Sequence, residues 1–251
     1  MKKQFIILAA AIIGLGLLPA YSQPGMQGGP QFGGAMGKLF GDNQAFSATM
    51  EMQASDQAGN PVTIPGKLAF DTGKSRFEIN MADIKGGHMP PNAAAQMKAM
   101  GMDQMVAITH PELKIAWLIY PGLKSYAEIQ VPDSDSPTNS TFKMTATEIG
   151  KETVDGHPCV ENKVVVVGKD GVKHESTVWN ATDLKTFPVK IQTVEQGETV
   201  TMLFKNVSLT KPAASQFDAP SSYKKYDSMQ AMQMEMMKRM AGGAGMPPSQ
   251  P

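Results

Sequence analysis

A two-residue hydrophobic period recurs along most of this chain and limits it to strands. In "AFSATMEMQAS" (45–55), Phe46, Ala48, Met50 and Met52 face one way while Ser47, Thr49, Glu51 and Gln53 face the other, the pattern of a half-buried strand. "GKLAFD" and "SRFEINM" come next and flank the hairpin signal "DTGK". "MVAITH" and "LKIAWLIY" are separated by His110-Pro111-Glu112, and Pro121-Gly122 turns the chain into "LKSYAEIQV". After a Ser/Pro/Asp loop at 132–140 come "FKMTATEIG", "CVENKVVVV", "VKHESTVWN", "FPVKIQTVE" and "ETVTMLFKNVSL". This predicts about ten strands, and connections so short join antiparallel neighbours, not βαβ units. The expected class is mainly β with helices (α+β), an antiparallel meander that curls into a barrel, a half-barrel or a sandwich. Val164 to Val167 are apolar on both faces of their strand, so a helix or a facing sheet must cover the second face. The other strands alternate and are expected to expose one face to water.

Helical periodicity is confined to two places. "NAAAQMKAMGMDQM" (92–105) starts with Asn92 as an N-cap after two prolines, and Ala93, Met97, Met100 and Gln104 share a face. "SMQAMQMEMMKRM" (228–240) holds six of the chain's 20 methionines. At about 100° per residue, Met229, Met232, Met236 and Met240 fall in one stripe with Met237 beside them, while Met234 lies off it. The expected helices are near 92–105 and 226–241.

The ends differ from the middle. Lys2 and Lys3 precede a fourteen-residue apolar run from Phe5 to Leu18, then Pro19 and Ala20-Tyr21-Ser22. That is the layout of a secretory signal peptide cut after Ser22, and the run is short of the roughly 20 residues a membrane span needs. Residues 23–38 are read as a flexible Gly/Pro/Gln-rich spacer and 241–251 as a disordered tail. One domain, 39–240, remains, with a location in the periplasm or outside the cell. Without Lys2 and Lys3, 21 basic residues stand against 23 acidic ones, scattered along the chain, which argues against a nucleic-acid partner.

Catalytic signals are absent from the sequence. His88, His110, His157 and His174 lack the spacing of a zinc pair and read as loop or surface residues. No G-x-S-x-G elbow occurs in the domain, and no two carboxylates are placed as a pair. Cys159, the single cysteine, reads as a buried small apolar residue, with His157 two positions away on the same strand face. Methionine thioethers suit Cu(I), but a one-sided stripe is what packing requires, and unbranched methionine fills apolar surfaces that must adapt. Trp117 and Trp179 sit in apolar strand contexts, as core residues or as the lining of a ligand cavity.

"GKETVDGHPCVENKVVVV" followed by "STVWNATDLKTFPVKIQ" resembles a family of uncharacterised exported bacterial domains. That family looks like a branch of the LolA/LppX-type superfamily, which includes the outer-membrane lipoprotein carrier. The resemblance covers roughly 40–228 and is most specific between 148 and 192. It implies an open half-barrel of antiparallel strands whose concave apolar face is covered by helices, and in the better-known relatives the covered cavity receives acyl chains. No cavity arginine of the carriers maps onto Arg76.

Together these readings describe a non-catalytic periplasmic half-barrel that binds a hydrophobic, lipid-like ligand and makes transient contact with envelope membranes. The cavity or lid residues expected to touch that ligand are Trp117, Trp179, Met97, Met100, Met232, Met236 and Met240. No metal site and no cofactor are expected. The alternatives are an envelope interaction module without ligand, and Met-based Cu(I) binding.

Overall fold

The computed structural model describes residues 34–55, 59–87, 92–131, 143–167, 171, 173–195 and 198–243. The signal segment 1–22, the spacer as far as residue 33, the loop at 132–140, His88 and the tail from 244 lie outside them. The strands are β1 (Ala45–Ser55), β2 (Pro61–Asp71), β3 (Lys74–Asn80), β4 (Lys85–Gly86), β5 (Gln104–His110), β6 (Ile115–Tyr120) and β7 (Ser125–Gln130). They continue with β8 (Lys143–Val154), β9 (His157–Val167), β10 (Lys173–Ala181), β11 (Phe187–Glu195), β12 (Glu198–Ser208) and β13 (Lys224–Tyr226). The helices are α1 (Gly34–Lys38), α2 (Ala93–Ala99) and α3 (Met229–Gly243).

All thirteen described strands belong to one open, curled sheet, in the order β13-β7-β6-β5-β3-β2-β1-β12-β11-β10-β9-β8, with β4 attached to β2. The chain enters at β1 in the middle, meanders outward to β7, restarts at the opposite edge with β8 and meanders back until β12 pairs with β1. Two meanders therefore share one seam. The alternation sets this register: Phe46, Ala48, Met50 and Met52 are all buried, as their spacing requires. Thr72 and Gly73 close the β2–β3 hairpin at φ 50° and 90°, the pair of positive values that a primed turn needs.

Three expectations are corrected. The sheet is not wholly antiparallel, because β13 lies parallel to β7. The strand β8 does not alternate: eleven of its twelve residues are partly or fully exposed and only Val154 is buried, since an outermost strand rich in Thr, Lys and Glu has one neighbour and nothing apolar to hide. The stretch 34–38, read as spacer, is helical, and the next two residues enter the core. Leu39 and Phe40 are buried, and the Phe40 ring lies 4.7 Å from Phe46 and 5.7 to 5.8 Å from Phe70, Phe187 and Phe204. At the other end of the domain, α3 runs on to Gly243 past the expected boundary.

The sheet has two apolar faces of unequal size. Leu68, Phe70, Met105, Ala107, Leu118 and Tyr120 join the main core on the inner face. The residues between them, Ala69, Val106, Ile108 and Ile119, form a second cluster on the outer face. Phe217 completes that cluster at 1% exposure. It belongs to the segment 209–223, which leaves β12, crosses the outer face and delivers the chain to β13 at the far edge. Lys211 pairs with Asp71 at 3.2 Å, and Arg76 Nη1 donates to the Gln216 carbonyl at 3.1 Å. From β13 the chain rounds the edge, and α3 packs on the inner side against β7. A single strap thus binds the outside before the last helix covers the inside.

Candidate functional site

The inner face is paved with methionine. Met50, Met52, Met81, Met105 and Met202 are buried there, and Met232 of α3 belongs to the same core at 1% exposure. Met36, Met97, Met102, Met229 and Met236 pack half-buried against the same core. Eleven of the chain's 20 methionines therefore belong to this core or pack against it, contributed by sheet and helices together. Tyr120 adds a polar tip: its hydroxyl donates to Met105 Sδ at 3.9 Å, and burial pushes its pKa up.

The cover is held at its start by local chemistry. Ser228 acts as the N-cap of α3, its Oγ accepting the Ala231 N–H at 3.1 Å, while its carbonyl accepts the Met232 N–H at 3.2 Å. Lys224 reaches Glu235 at 3.5 Å, and Lys225 reaches Glu128 at 2.8 Å, so β13 clips both helix and sheet. Met234 is 60% exposed, as its place off the stripe predicts. The sequence stripe therefore reads correctly at Met229, Met232, Met234 and Met236. Met240 lies within α3, but its side chain is outside the described residues.

The other predicted residues scatter. Met97 packs half-buried against the core, but Met100 is 38% exposed. The predicted helix of 92–105 stops at Ala99 because Gly101 turns left-handed, φ +70°, so Met100 never reaches the shared face. Asn92 holds the N-cap position but makes no side-chain cap hydrogen bond. Trp117 points outward: Leu118 and Tyr120 take the inner pleat, so parity leaves Trp117 on the outer face, donating Nε1–H to Glu128 at 3.1 Å. Trp179 is core, 4% exposed. Its Nε1–H donates to Glu152 at 2.8 Å, and Lys190 Nζ lies 3.8 Å from the ring centroid.

Sequence reasoning missed the sheet methionines and Phe40. Met50 and Met52 were visible as the apolar half of an alternating strand, but nothing local marks a strand methionine as part of a shared surface. Both quoted motifs, D-G-H-P-C and V-W-N-A-T-D-L-K-T-F-P, turn out to be one turn-on-turn lock. His157 Nδ1 meets Asp183 Oδ2 at 2.8 Å, Thr182 Oγ1 donates to the Pro158 carbonyl at 3.0 Å, and Asn180 Nδ2 to the Thr186 carbonyl at 2.9 Å. Asn43, beside Phe40, ties in through the Lys185 carbonyl at 3.2 Å.

Cys159 lies in this lock as a structural thiol. Its Sγ donates to the His157 carbonyl at 3.3 Å and does not engage the imidazole. Burial, with the Asp183 and Glu152 carboxylates nearby, pushes its pKa up, away from the thiolate that a nucleophile needs. Among the described residues no group of three or more His, Cys, Asp or Glu side chains is placed to hold a metal ion. A cleft of about 600 Å3 opens on the outer face, between the strap at Ser215–Gln216 and the β1–β3 surface at Ser47, Thr49, Lys67 and Arg76. It is the polar counterpart of the methionine face.

No protein-family model matches the chain, and no curated protein does. Solved structures do. The chain is similar to structures of the LolA superfamily. A LolA superfamily protein from Nitrosomonas europaea matches 72% of this chain over 93% of its own, with 10% identity and a TM-score of 0.39. LprF from Mycobacterium bovis matches 68% over 90% of its own, with 13% identity and a TM-score of 0.37. The lipoprotein LppX of Mycobacterium tuberculosis matches 64% over 85% of its own, with 9% identity and a TM-score of 0.35.

Proposed function

We propose that the protein is a non-catalytic, exported binder of hydrophobic or amphiphilic molecules, which it takes up between the methionine-paved inner face and α3. The observation that carries this reading is that methionines from sheet and helix belong to one apolar core. Methionine has three soft torsions and a polarizable sulfur, so such a surface repacks around guests of different shape where branched side chains resist. Uptake moves α3, because Met232 fills the surface in the closed form. Export through residues 1–22, cleavage after Ser22 and transient contact with envelope membranes belong to the same proposal.

Native mass spectrometry of protein from its own cell envelope and displacement of a fluorescent fatty acid are the direct tests. Replacing Met229, Met232 and Met236 together by leucine keeps apolar volume nearly constant. It is expected to narrow the range of acyl chains bound while leaving the fold intact. Equal binding of straight, bent and branched chains by that variant would remove methionine plasticity from the account. The specific observation favouring a ligand-free interaction module is the fully buried Phe40 cluster. That reading predicts no probe displacement at any concentration below the solubility limit.

A further inference from the structure

We infer that His110 is a charge-dependent latch that fixes the outer strap, and through it the cover helix, according to pH. The histidine is buried at the end of β5, its ring 4.9 Å from Trp117. Its Nε2 meets the carbonyl of Phe217, the residue that anchors the strap, and its Nδ1 meets Glu112 Oε1 at 3.1 Å. Both partners are acceptors. A neutral imidazole carries one N–H, so only the doubly protonated ring satisfies both contacts. Loss of a proton leaves one N–H for two acceptors, the buried Phe217 carbonyl and the half-exposed Glu112 carboxylate, so the bond to the strap competes with the pair to Glu112.

Among the described residues, the charged groups beside the latch lie on its own turn, on β3 and on the strap. Glu112 also pairs with Lys74 at 3.3 Å across the hairpin end. On the strap, Arg76 holds the Gln216 carbonyl and pairs with Glu78 at 2.6 Å, and Asp218 is exposed beside Phe217. Histidine is the side chain whose charge ordinarily changes between about pH 5 and 8. The strap continues directly into β13 and α3, so its release frees the clip on the cover. This last link rests on the proposed role of α3 as a movable cover.

Hydrogen exchange of the full-length protein at pH 5.5 and 8.5, corrected for intrinsic chemistry, reads the latch without any ligand. Amides of residues 213–226 are expected to lose protection by roughly tenfold or more at pH 8.5, the worth of a buried hydrogen bond to a charged group. In Glu112→Gln the new amide can donate to a neutral Nδ1, so protection is expected to stay high at both values. His110→Gln is expected to remove the pH dependence while lowering protection throughout. Equal protection of the wild type at both pH values, or a Glu112→Gln protein that keeps the difference, overturns the latch. Should Glu112→Gln fold poorly, imidazole 15N shifts of the wild type decide: a ring that is singly protonated at pH 5.5 with the strap closed also overturns it. Fatty-acid binding is measured in parallel. A pH-dependent strap with no binding at either pH leaves the latch standing and removes the ligand reading instead.

Discussion

Glu128 receives two hydrogen bonds, from Lys225 Nζ at 2.8 Å and from Trp117 Nε1 at 3.1 Å. The lysine contact first, then the indole, holds its carboxyl below the usual carboxylate range, and Lys225 is pushed up in return, chiefly by the same bond. A carboxyl with a lowered folded pKa contributes stability above its unfolded pKa and loses it as pH falls through the folded value. Acid is therefore expected to free β13 from β7, seen as faster exchange of residues 224–226, and Glu128→Gln is expected to abolish that acid step. Cys159 gives a second residue-scale test. Its buried, pKa-raised thiol is expected to resist alkylation in the folded protein at pH 8 and to react at once in denaturant. Fast labelling of the native state would contradict the structural role. At this scale the sequence is a good guide where parity decides and a poor one where partners do. Alternation was enough to bury Met50, and the helical stripe to leave Met234 in water. Alternation also turns Trp117 outward, since Leu118 and Tyr120 take the inner places. His110 read as a loop residue because its partner Phe217 lies 107 positions away.

The elements divide in the same manner. Nearly every strand was legible, since a period of two and a turn signal are local facts. The exceptions are β4 and β13, of two and three residues, too short to show a period and formed only because a neighbour supplies the ladder. The helix α1 is five residues long, marginal in isolation, and exists because Leu39 and Phe40 are drawn into the core behind it. Phe40→Ala is expected to cost about 3 to 5 kcal/mol in urea denaturation, the range for a buried phenylalanine. At the cover, Met232→Ala is expected to cost about 2 to 5 kcal/mol and Met232→Leu less than about 1.5 kcal/mol. A large penalty for leucine would mean that the thioether does more than fill space. The end of α2 docks on the β6–β7 turn through glycine against glycine: a Cβ on Gly122 would stand 2.6 Å from the Gly101 carbonyl oxygen. No side chain fits there, so the contact cannot be read from hydrophobic pattern at all.

A sheet of this kind, curled but open, retains two edges at the scale of the molecule. One is closed off by β13 and α3. The other is β8, exposed on both faces, with Met144 and Ile149 uncovered. Its register against β9 slips between Glu148 and Gly150, and a bulge with flanking Glu148, Lys151 and Glu152 is how natural sheets discourage edge-to-edge pairing. Replacing Glu148 and Lys151 by valine is expected to leave the fold intact and to raise concentration-dependent association in light scattering. The global path was the least legible part of the sequence. Two meanders meeting at β1 and β12 need the same local signals as one continuous meander, and only long-range pairing distinguishes them. That path has a bearing on timing. Because α3 follows every strand in sequence, and the strap must first lie down across the back of the sheet, the oily surface is the last thing the protein seals. A chain folding as it emerges holds that surface open to its surroundings until the final helix arrives.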